Sequence, residues 1–200
     1  GYEVTGFDLS TPAIDYLKRR LKRRGLRANV FEGDMTCVQI DPPADLAICP
    51  MNTFRHLLTE GDARNHLDAI SSSLRPGGLY LLGFHLLPLD IDPESSERWT
   101  ARHGRTRVTF SLKVLDSQRR RRLETLRFRL NVTSGHARPR RLVLEDEFPL
   151  RMYTAAQFRR LLDSVPGLEL LDVYDFWYDI GDPLVLDDRI TDTMFVLRKP

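Results

Sequence analysis

Short apolar strands alternate with helix patterns over the first part of the chain, and this alternation constrains the fold more than any other feature. The segments 28–32, 45–49 and 79–84 are typical of strands. One helix is predicted to begin at Pro12, with Ser10 or Thr11 as its cap, and to end at Gly25. A second helix is predicted over 62–74. Strands that alternate with helices predict a parallel α/β sheet. The near-continuous apolar runs fit strands that are covered on both faces.

The pattern changes after residue 86. The segment 86–105 is long and polar, and predicts a connection of the kind that forms lids or binding loops. Apolar and polar residues then alternate over 108–114 and 126–132, and a third extended run follows at 141–150. These runs predict a three-stranded antiparallel β meander with one apolar face, inserted into the α/β domain.

The parent pattern returns near the end of the chain. Thr154 and Gln157 form a capping box that begins a helix, and strands are predicted at 168–176 and 193–197. We therefore expect one domain over residues 1–200, in which 87–152 supply a lid loop and the antiparallel insertion.

Composition narrows the classes of protein. Two hundred residues with 42% hydrophobic content can bury one real core. A net charge of only +2 argues against a dedicated nucleic-acid binder. The cysteines Cys37 and Cys49 form neither metal spacing nor a disulfide framework, which fits a reducing cytoplasm. Because of this cysteine spacing, we expect no metal. No run reaches the roughly 18 apolar residues of a membrane span, so we expect no membrane partner.

Asp8 ends a short strand and is followed at once by a helix start. In nucleotide-binding βαβ units, such a carboxylate holds a ribose hydroxyl about 20 residues after a glycine-rich loop. Seven residues precede Asp8, and they contain no such loop. We therefore expect that the chain lacks the first strand of a cofactor-binding domain and supplies only part of the cofactor site. The alternative is that Asp8 caps the helix that begins near Pro12.

Four segments, in order and spacing, resemble class I S-adenosylmethionine-dependent methyltransferases. They are Val4-x-Gly6-x-Asp8-x-Ser10, Gly33-Asp34-Met35, the run 45–57, and Leu74-Arg-Pro-Gly-Gly-Leu79. The resemblance covers about residues 1–86 and resumes at 153–198. It implies a Rossmann-like methyltransferase sheet, mostly parallel with an antiparallel last strand.

The resemblance implies S-adenosyl-L-methionine as cofactor and assigns its contacts. Those contacts are Asp8, Leu9, Asp34, Met35, Pro50 and Met51. Asp8 would accept from the ribose hydroxyls, and Asp34 from the adenine amine with Met35 against the ring. The backbone around Pro50 and Met51 would meet the amino-acid end. Independently, ligands of open α/β sheets bind beyond the carboxyl ends of the strands, where these residues are predicted. A simple Gly-Asp turn is the alternative for Asp34.

Two histidines are candidates for a general base. His56 follows the strand 45–49, and His85 follows the strand 79–84, so both are expected on the rim of the site. Histidine titrates in the useful range, and a base matters when the acceptor must lose a proton. A structural or rim role is the alternative for each. Trp99 and Tyr153 are candidates for the acceptor pocket, with lid or core packing as the alternative.

Two features of the sequence suggest that the protein binds nucleic acid or phosphate, but neither feature is specific. Asp41-Pro42-Pro43-Ala44 resembles a motif of base amino-methylating enzymes, but it precedes the strand and ends in alanine. Arginines cluster at Arg119–Arg122, Arg138, Arg140 and Arg141. They are interpreted either as a phosphate or acidic-substrate patch or as exposed hairpin charges that discourage edge-to-edge pairing.

The sequence thus predicts methyl transfer to a nitrogen or oxygen of a small-molecule acceptor, without nucleic acid. One alternative is a non-catalytic methyltransferase-like interaction subunit. Another is an NAD-dependent oxidoreductase, although no Tyr is followed four residues later by Lys as in short-chain dehydrogenases. The acceptor and the oligomeric state stay open.

Overall fold

Four parallel strands carry the first half of the fold. In this computed structural model, which describes residues 1–87, 96–135 and 140–200, β1 (Thr5–Asp8) pairs in parallel with β2 (Asn29–Glu32). Likewise, β3 (Ala44–Cys49) pairs in parallel with β4 (Leu74–His85). The predicted α/β class is confirmed.

The parallel strands belong to two separate sheets. β1 bonds only to β2, and β3 bonds only to β4, within the ranges that the structure describes. On one face of β3, Leu46 and Ile48 are 50% and 66% exposed, whereas Ala47 and Cys49 on the other face pack against the core. Because side chains alternate along a strand, one face of β3 is covered and the other is open.

Three helices begin at side-chain caps, and the caps of the first and third are predicted from the sequence. α1 (Thr11–Arg23) begins after Ser10, whose hydroxyl accepts from the amide of Ala13 at 3.3 Å. α2 (Glu60–Ser73) begins after Thr59, and α3 (Ala155–Asp163) begins at the predicted capping box. α2 begins two residues earlier than predicted, because Thr59 rather than a later residue accepts the first-turn amide.

The last two strands close the larger of these two sheets. β9 (Glu169–Tyr174) pairs antiparallel with β10 (Asp192–Arg198), which in turn pairs antiparallel with β4. The order is β3-β4-β10-β9. The antiparallel last strand that the resemblance implies is therefore confirmed.

The insertion is an antiparallel meander with one strand more than predicted. β5 (Ser96–His103), β6 (Thr106–Gln118), β7 (Leu123–Ser134) and β8 (Arg140–Arg151) pair in that order. β5 lies inside the segment that was predicted to be a connection. All of its residues are exposed, so it lacks the apolar alternation by which a half-buried strand is predicted.

Aromatic side chains form the core between the larger sheet and helices α2 and α3. Phe54, Phe84, Tyr153, Phe158 and Phe195 are each 0% exposed. The ring centroids of Phe158 and Phe195 lie 4.3 Å apart, and those of Phe84 and Phe158 lie 4.9 Å apart. Core packing is thus the role of Tyr153. Trp99 instead packs on Phe110 of the meander, with ring centroids 4.3 Å apart.

Candidate active site

Asp8 stands at the carboxyl end of β1 and is exposed. Its Oδ1 accepts from the amide of Ser10 at 2.8 Å, so part of its role is to order the start of α1. No described residue bonds to Oδ2, which leaves that oxygen for a hydroxyl of a ligand. The carbonyl of Asp8 accepts from the amide of Gly33 at 3.1 Å, which joins the ends of β1 and β2. Leu9, the next residue, is 68% exposed.

Asp34 follows β2 and faces solvent. Its Oδ1 accepts from the amide and the hydroxyl of Thr36, both at 2.8 Å. These hydrogen bonds, the backbone one first, lower the pKa of the Asp34 carboxyl, so it is ionised at neutral pH. The Gly-Asp turn that is the alternative interpretation of Asp34 is therefore present in the structure. As with Asp8, the described residues leave the other carboxylate oxygen unbonded.

His66 holds the loop after β2 against the core, a role that the sequence analysis missed. Its Nδ1 lies 2.9 Å from the carbonyl oxygen of Met35, and its Nε2 lies 2.7 Å from the hydroxyl of Tyr80. Burial lowers the pKa of His66 to about 4, so the ring is neutral. Nδ1 therefore donates to Met35, and Nε2 accepts from Tyr80. Spacing alone gave no signal for this, because His66 lies on an ordinary helix face.

The loop after β3 has an uncommon backbone. Met51 and Asn52 are consecutive non-glycine residues in the left-handed region, with φ of 67° and 65°. Such conformations cost roughly 1–3 kcal/mol and concentrate at functional sites. Pro50 is exposed, and Met51 is 71% exposed. The loop therefore presents its backbone and the Met51 side chain to the space beyond the sheet.

Gly83 of β4 permits this loop to approach. Its carbonyl accepts from the amide of Asn52 at 3.0 Å. A Cβ at Gly83 would lie 3.3 Å from Cα of Pro50 and 2.7 Å from the terminal methyl of Met194. A side chain there would press on the loop backbone, so glycine sets the distance between β4 and the loop.

His85 ends β4 and is paired with a carboxylate. Its Nδ1 lies 2.7 Å from Oδ1 of Asp192, the first residue of β10, and its ring packs edge-on against Phe176. The amide of His85 also donates to Oδ1 of Asn52 at 2.8 Å. An imidazole whose Nδ1 is held by a carboxylate has its Nε2 available to accept a proton. Sequence spacing could not find Asp192, because it is 107 residues away.

His56 lies in the 3₁₀ turn Thr53–His56 that follows the loop. Its ring packs on Phe148 of β8, with centroids 5.4 Å apart. Partial burial, together with the charge of Arg55, lowers its pKa. Unlike the ring of His85, the ring of His56 has no carboxylate partner among the described residues.

A buried ion pair joins this turn to the antiparallel sheet. The Arg55 guanidinium bonds to the carboxylate of Glu124 in β7, and its Nε donates to the carbonyl of Arg151 in β8 at 2.8 Å. Arg55 and Glu124 are only 6% and 7% exposed. Because both partners are buried, the position of the His56 turn depends on the insertion.

The predicted arginine patch is divided by the structure. Residues 119–122 form the β6–β7 turn, where Arg122 donates to Glu60 at 2.7 Å and stacks over Tyr153. Arg122 is therefore a structural residue. Arg138 lies outside the described residues, and of Arg140 only the backbone is described. Arg141 stands on the polar face of the meander.

Two further observations concern metal and membrane. Among the residues that the structure describes, no three His, Cys, Asp or Glu side chains are grouped so that they could hold a metal ion. None of the described helices combines the length and apolarity that crossing a membrane requires.

Comparison with known proteins identifies the fold of the chain and a family match over its first part. Residues 1–78 match the family model described as "Methyltransferase domain". No curated protein sequence matches the chain significantly. Among solved structures, an S-adenosylmethionine-dependent methyltransferase from Clostridium acetobutylicum superposes with a TM-score of 0.79 at 14% identity, covering 99% of this chain and 75% of that one.

Two other similar structures are methyltransferases that act on sugars. One is an amino pentose methyltransferase from Micromonospora echinaspora, involved in calicheamicin biosynthesis and solved with S-adenosylmethionine bound. It has a TM-score of 0.71 at 20% identity and covers 99% of this chain and 74% of that one. The other is a sugar N-methyltransferase from a Streptoalloteichus species, with a TM-score of 0.70, 14% identity, and coverage of 98% and 70%.

At these identities the structures support the fold, and the family model identifies the segment that carries Asp8, Asp34 and the loop after β3. The resemblance found in the sequence motifs is confirmed, and an NAD-dependent oxidoreductase has no support from either comparison. Residues 1–78 thus match the methyltransferase-domain family, and the chain as a whole has the fold of S-adenosylmethionine-dependent methyltransferases.

Proposed function

We propose that the protein transfers the methyl group of S-adenosylmethionine to a nitrogen or oxygen of a small-molecule acceptor. The observation that carries the proposal is the placement of Asp8 and Asp34 at the ends of neighbouring parallel strands, inside the segment that matches the methyltransferase model. The amino-sugar and sugar acceptors named for two similar structures support an acceptor of that size.

The residues at the strand ends fit the cofactor. The unbonded oxygen of Asp8 can accept from ribose hydroxyls, and that of Asp34 from the adenine amine. Met35, fixed through its carbonyl by His66, can lie against the adenine ring. The exposed backbone of Pro50 and Met51 can meet the amino-acid end. Leu9 would line the ribose side.

The bound cofactor supplies an activated methyl group on its sulfonium. The protein has then to align the acceptor in line with that methyl group and to exclude water. In this proposal residues 87–152 act as a lid, in which the apolar face of the meander closes over the acceptor. The contact between Phe148 on this face and His56 supports the proposed closure.

An acceptor that must lose a proton needs a base, and we assign that role to His85. With its Nδ1 hydrogen-bonded to Asp192, the Nε2 atom takes the proton, and the carboxylate stabilises the imidazolium that forms. His56, predicted from the sequence, is the second candidate. Its lowered pKa and the absence of a described carboxylate partner make it the weaker base.

The test is an assay of S-adenosylhomocysteine release from a panel of small amines and hydroxyl compounds, amino sugars among them. We expect Asp8→Asn to weaken S-adenosylmethionine binding at least about tenfold by calorimetry, because it removes a charged acceptor. Unchanged binding in both Asp8→Asn and Asp34→Asn would overturn the assigned cofactor site.

The assignment of the base is tested separately. His85→Gln should lower kcat about 10²- to 10⁴-fold while cofactor binding is retained, and His56→Gln should have little effect. The opposite result, with kcat lost only in His56→Gln, would assign the base to His56. Equal, full activity in both variants would show that neither histidine is a base.

A further inference from the structure

The antiparallel sheet has a second face that the proposed methyl transfer does not use. Because side chains alternate along each strand, the residues opposite the apolar face are polar. Phe148, which contacts His56, is on the apolar face together with Phe128 and Phe110. The polar face is therefore directed away from the rim of the candidate active site.

A shallow cavity of about 520 Å³, largely open to solvent, lies on this polar face. Three arginines line it: Arg98 from β5, Arg129 from β7 and Arg141 from β8. The remaining lining residues carry hydroxyl or amide groups, and they are Thr109, Ser111, Asn131 and Thr133. None of the described residues that line the cavity is acidic. Its size is within the range of small-molecule sites.

The cross-strand pairs make a layered arrangement. Arg98 is opposite Ser111, and Ser111 is opposite Arg129, so these three form one row across the sheet. The next row places Thr109 opposite Asn131. Thr109 is only 9% exposed, and its hydroxyl lies 3.0 Å from that of Thr100, so this row forms the floor of the cavity.

Positive charge exceeds negative charge on this face. Arg129 shares Glu145 with Arg127, with nitrogen–oxygen distances of 3.6 and 3.5 Å. Within the described part of the chain, Arg98 and Arg141 have no carboxylate partner. A third row places Arg102 directly opposite Arg107, an arrangement of like charges that destabilises a sheet. A bound anion would offset this repulsion.

The geometry points to a binding site for a small molecule that carries a diphosphate group. We infer that Arg98 and Arg129, which flank Ser111 in one row, hold the phosphate oxygens, since the planar guanidinium pairs with phosphate through two parallel hydrogen bonds. Arg141, opposite Thr133 and two rows further along the sheet, contacts the other end of the ligand. Thr109, Ser111 and Asn131 then bind the polar remainder of the ligand. Glu145 and Glu147 bring negative charge to the β8 edge of this surface, where both pair with Arg127.

The test is calorimetric titration of the intact protein with inorganic pyrophosphate and with uridine diphosphate. We expect one site per chain, with affinity for pyrophosphate reduced at least tenfold in Arg98→Gln and in Arg129→Gln. Lys113→Gln is the matched control, because Lys113 is on the same face but does not line the cavity. It should change affinity less than twofold. Asp8→Asn, outside the cavity, should bind pyrophosphate normally.

Several results would overturn the inference. Equal losses in Lys113→Gln and Arg98→Gln would mean attraction by general charge rather than by a site. Tight binding of a single-stranded oligonucleotide without binding of pyrophosphate would identify a nucleic-acid surface. Dimerisation that depends on Arg98 and Arg141, with no anion bound, would identify a contact between two copies. Equal unfolding temperatures of the variants ensure that loss of binding is not loss of folding.

Discussion

The Nε2 atom of His66 accepts a hydrogen bond from the buried hydroxyl of Tyr80, 2.7 Å away. The other ring nitrogen donates to the carbonyl of Met35. One neutral imidazole thus links α2, β4 and the loop that we propose for adenine binding. Protonation would place a hydrogen on Nε2, opposite the hydroxyl hydrogen that Tyr80 donates, and would bury a charge.

The first prediction is that acid destabilises the protein through His66. Its pKa is about 4 when folded and about 6.5 when unfolded, so the unfolded state binds more protons between these values. Stability is complete above pH 6.5 and falls as the pH drops toward 4. We expect a loss of about 2 kcal/mol in the free energy of unfolding between pH 7 and pH 5.

Urea denaturation at pH 7, 6 and 5 measures the free energy of unfolding. Ordinary carboxyl groups stay largely ionised over this pH range, so they contribute little to the change. His66→Asn should flatten the dependence, whereas His56→Gln is the control and should keep most of it. A slope that survives unchanged in His66→Asn would contradict the assignment.

The second prediction concerns the buried pair of Arg55 and Glu124. Glu124→Gln leaves the Arg55 charge buried without a counter-charge, and we expect a loss of about 3–5 kcal/mol in the free energy of unfolding. Glu145→Gln on the exposed sheet surface is the control and should cost less than about 1 kcal/mol. Equal, small losses in both variants would show that the pair does not hold the insertion to the site loop.

The third prediction separates the backbone role of Asn52 from its side-chain role. Asn52→Gly keeps a backbone suited to φ of 65° but removes the acceptor for the His85 amide, so we expect a loss of about 1 kcal/mol. Asn52→Ala should lose about 1 kcal/mol more, because alanine is strained in the left-handed region. Thermal unfolding of the two variants checks the order, and a more stable alanine variant would contradict it.

The fourth prediction tests whether Asp192 acts through His85. Asp192→Asn removes the charge that orients the ring, and we expect kcat to fall at least about tenfold with little change in KM. In the double variant with His85→Gln, kcat should be no lower than in His85→Gln alone, because both substitutions remove the same function. Multiplied losses would show that Asp192 acts independently of His85.

Local sequence patterns were sufficient for the parallel strands and for the helix starts near Ser10 and at Thr154, whereas the antiparallel end of the sheet was implied by the family resemblance. Each of these depends on residues within a few positions, or on alternation that an apolar face makes visible. β5 was not predicted, because an edge strand held by backbone hydrogen bonds and one aromatic contact of Trp99 shows no such alternation.

By itself, the sequence determined the α/β class, the methyltransferase motifs, and the positions of Asp8 and Asp34 at strand ends, since these follow from chain order and local chemistry. Only the tertiary structure decided which distant groups meet. It paired His85 with Asp192, His66 with Met35 and Tyr80, and Arg55 with Glu124. These contacts join residues up to 107 positions apart, and no local pattern records which buried polar group satisfies another.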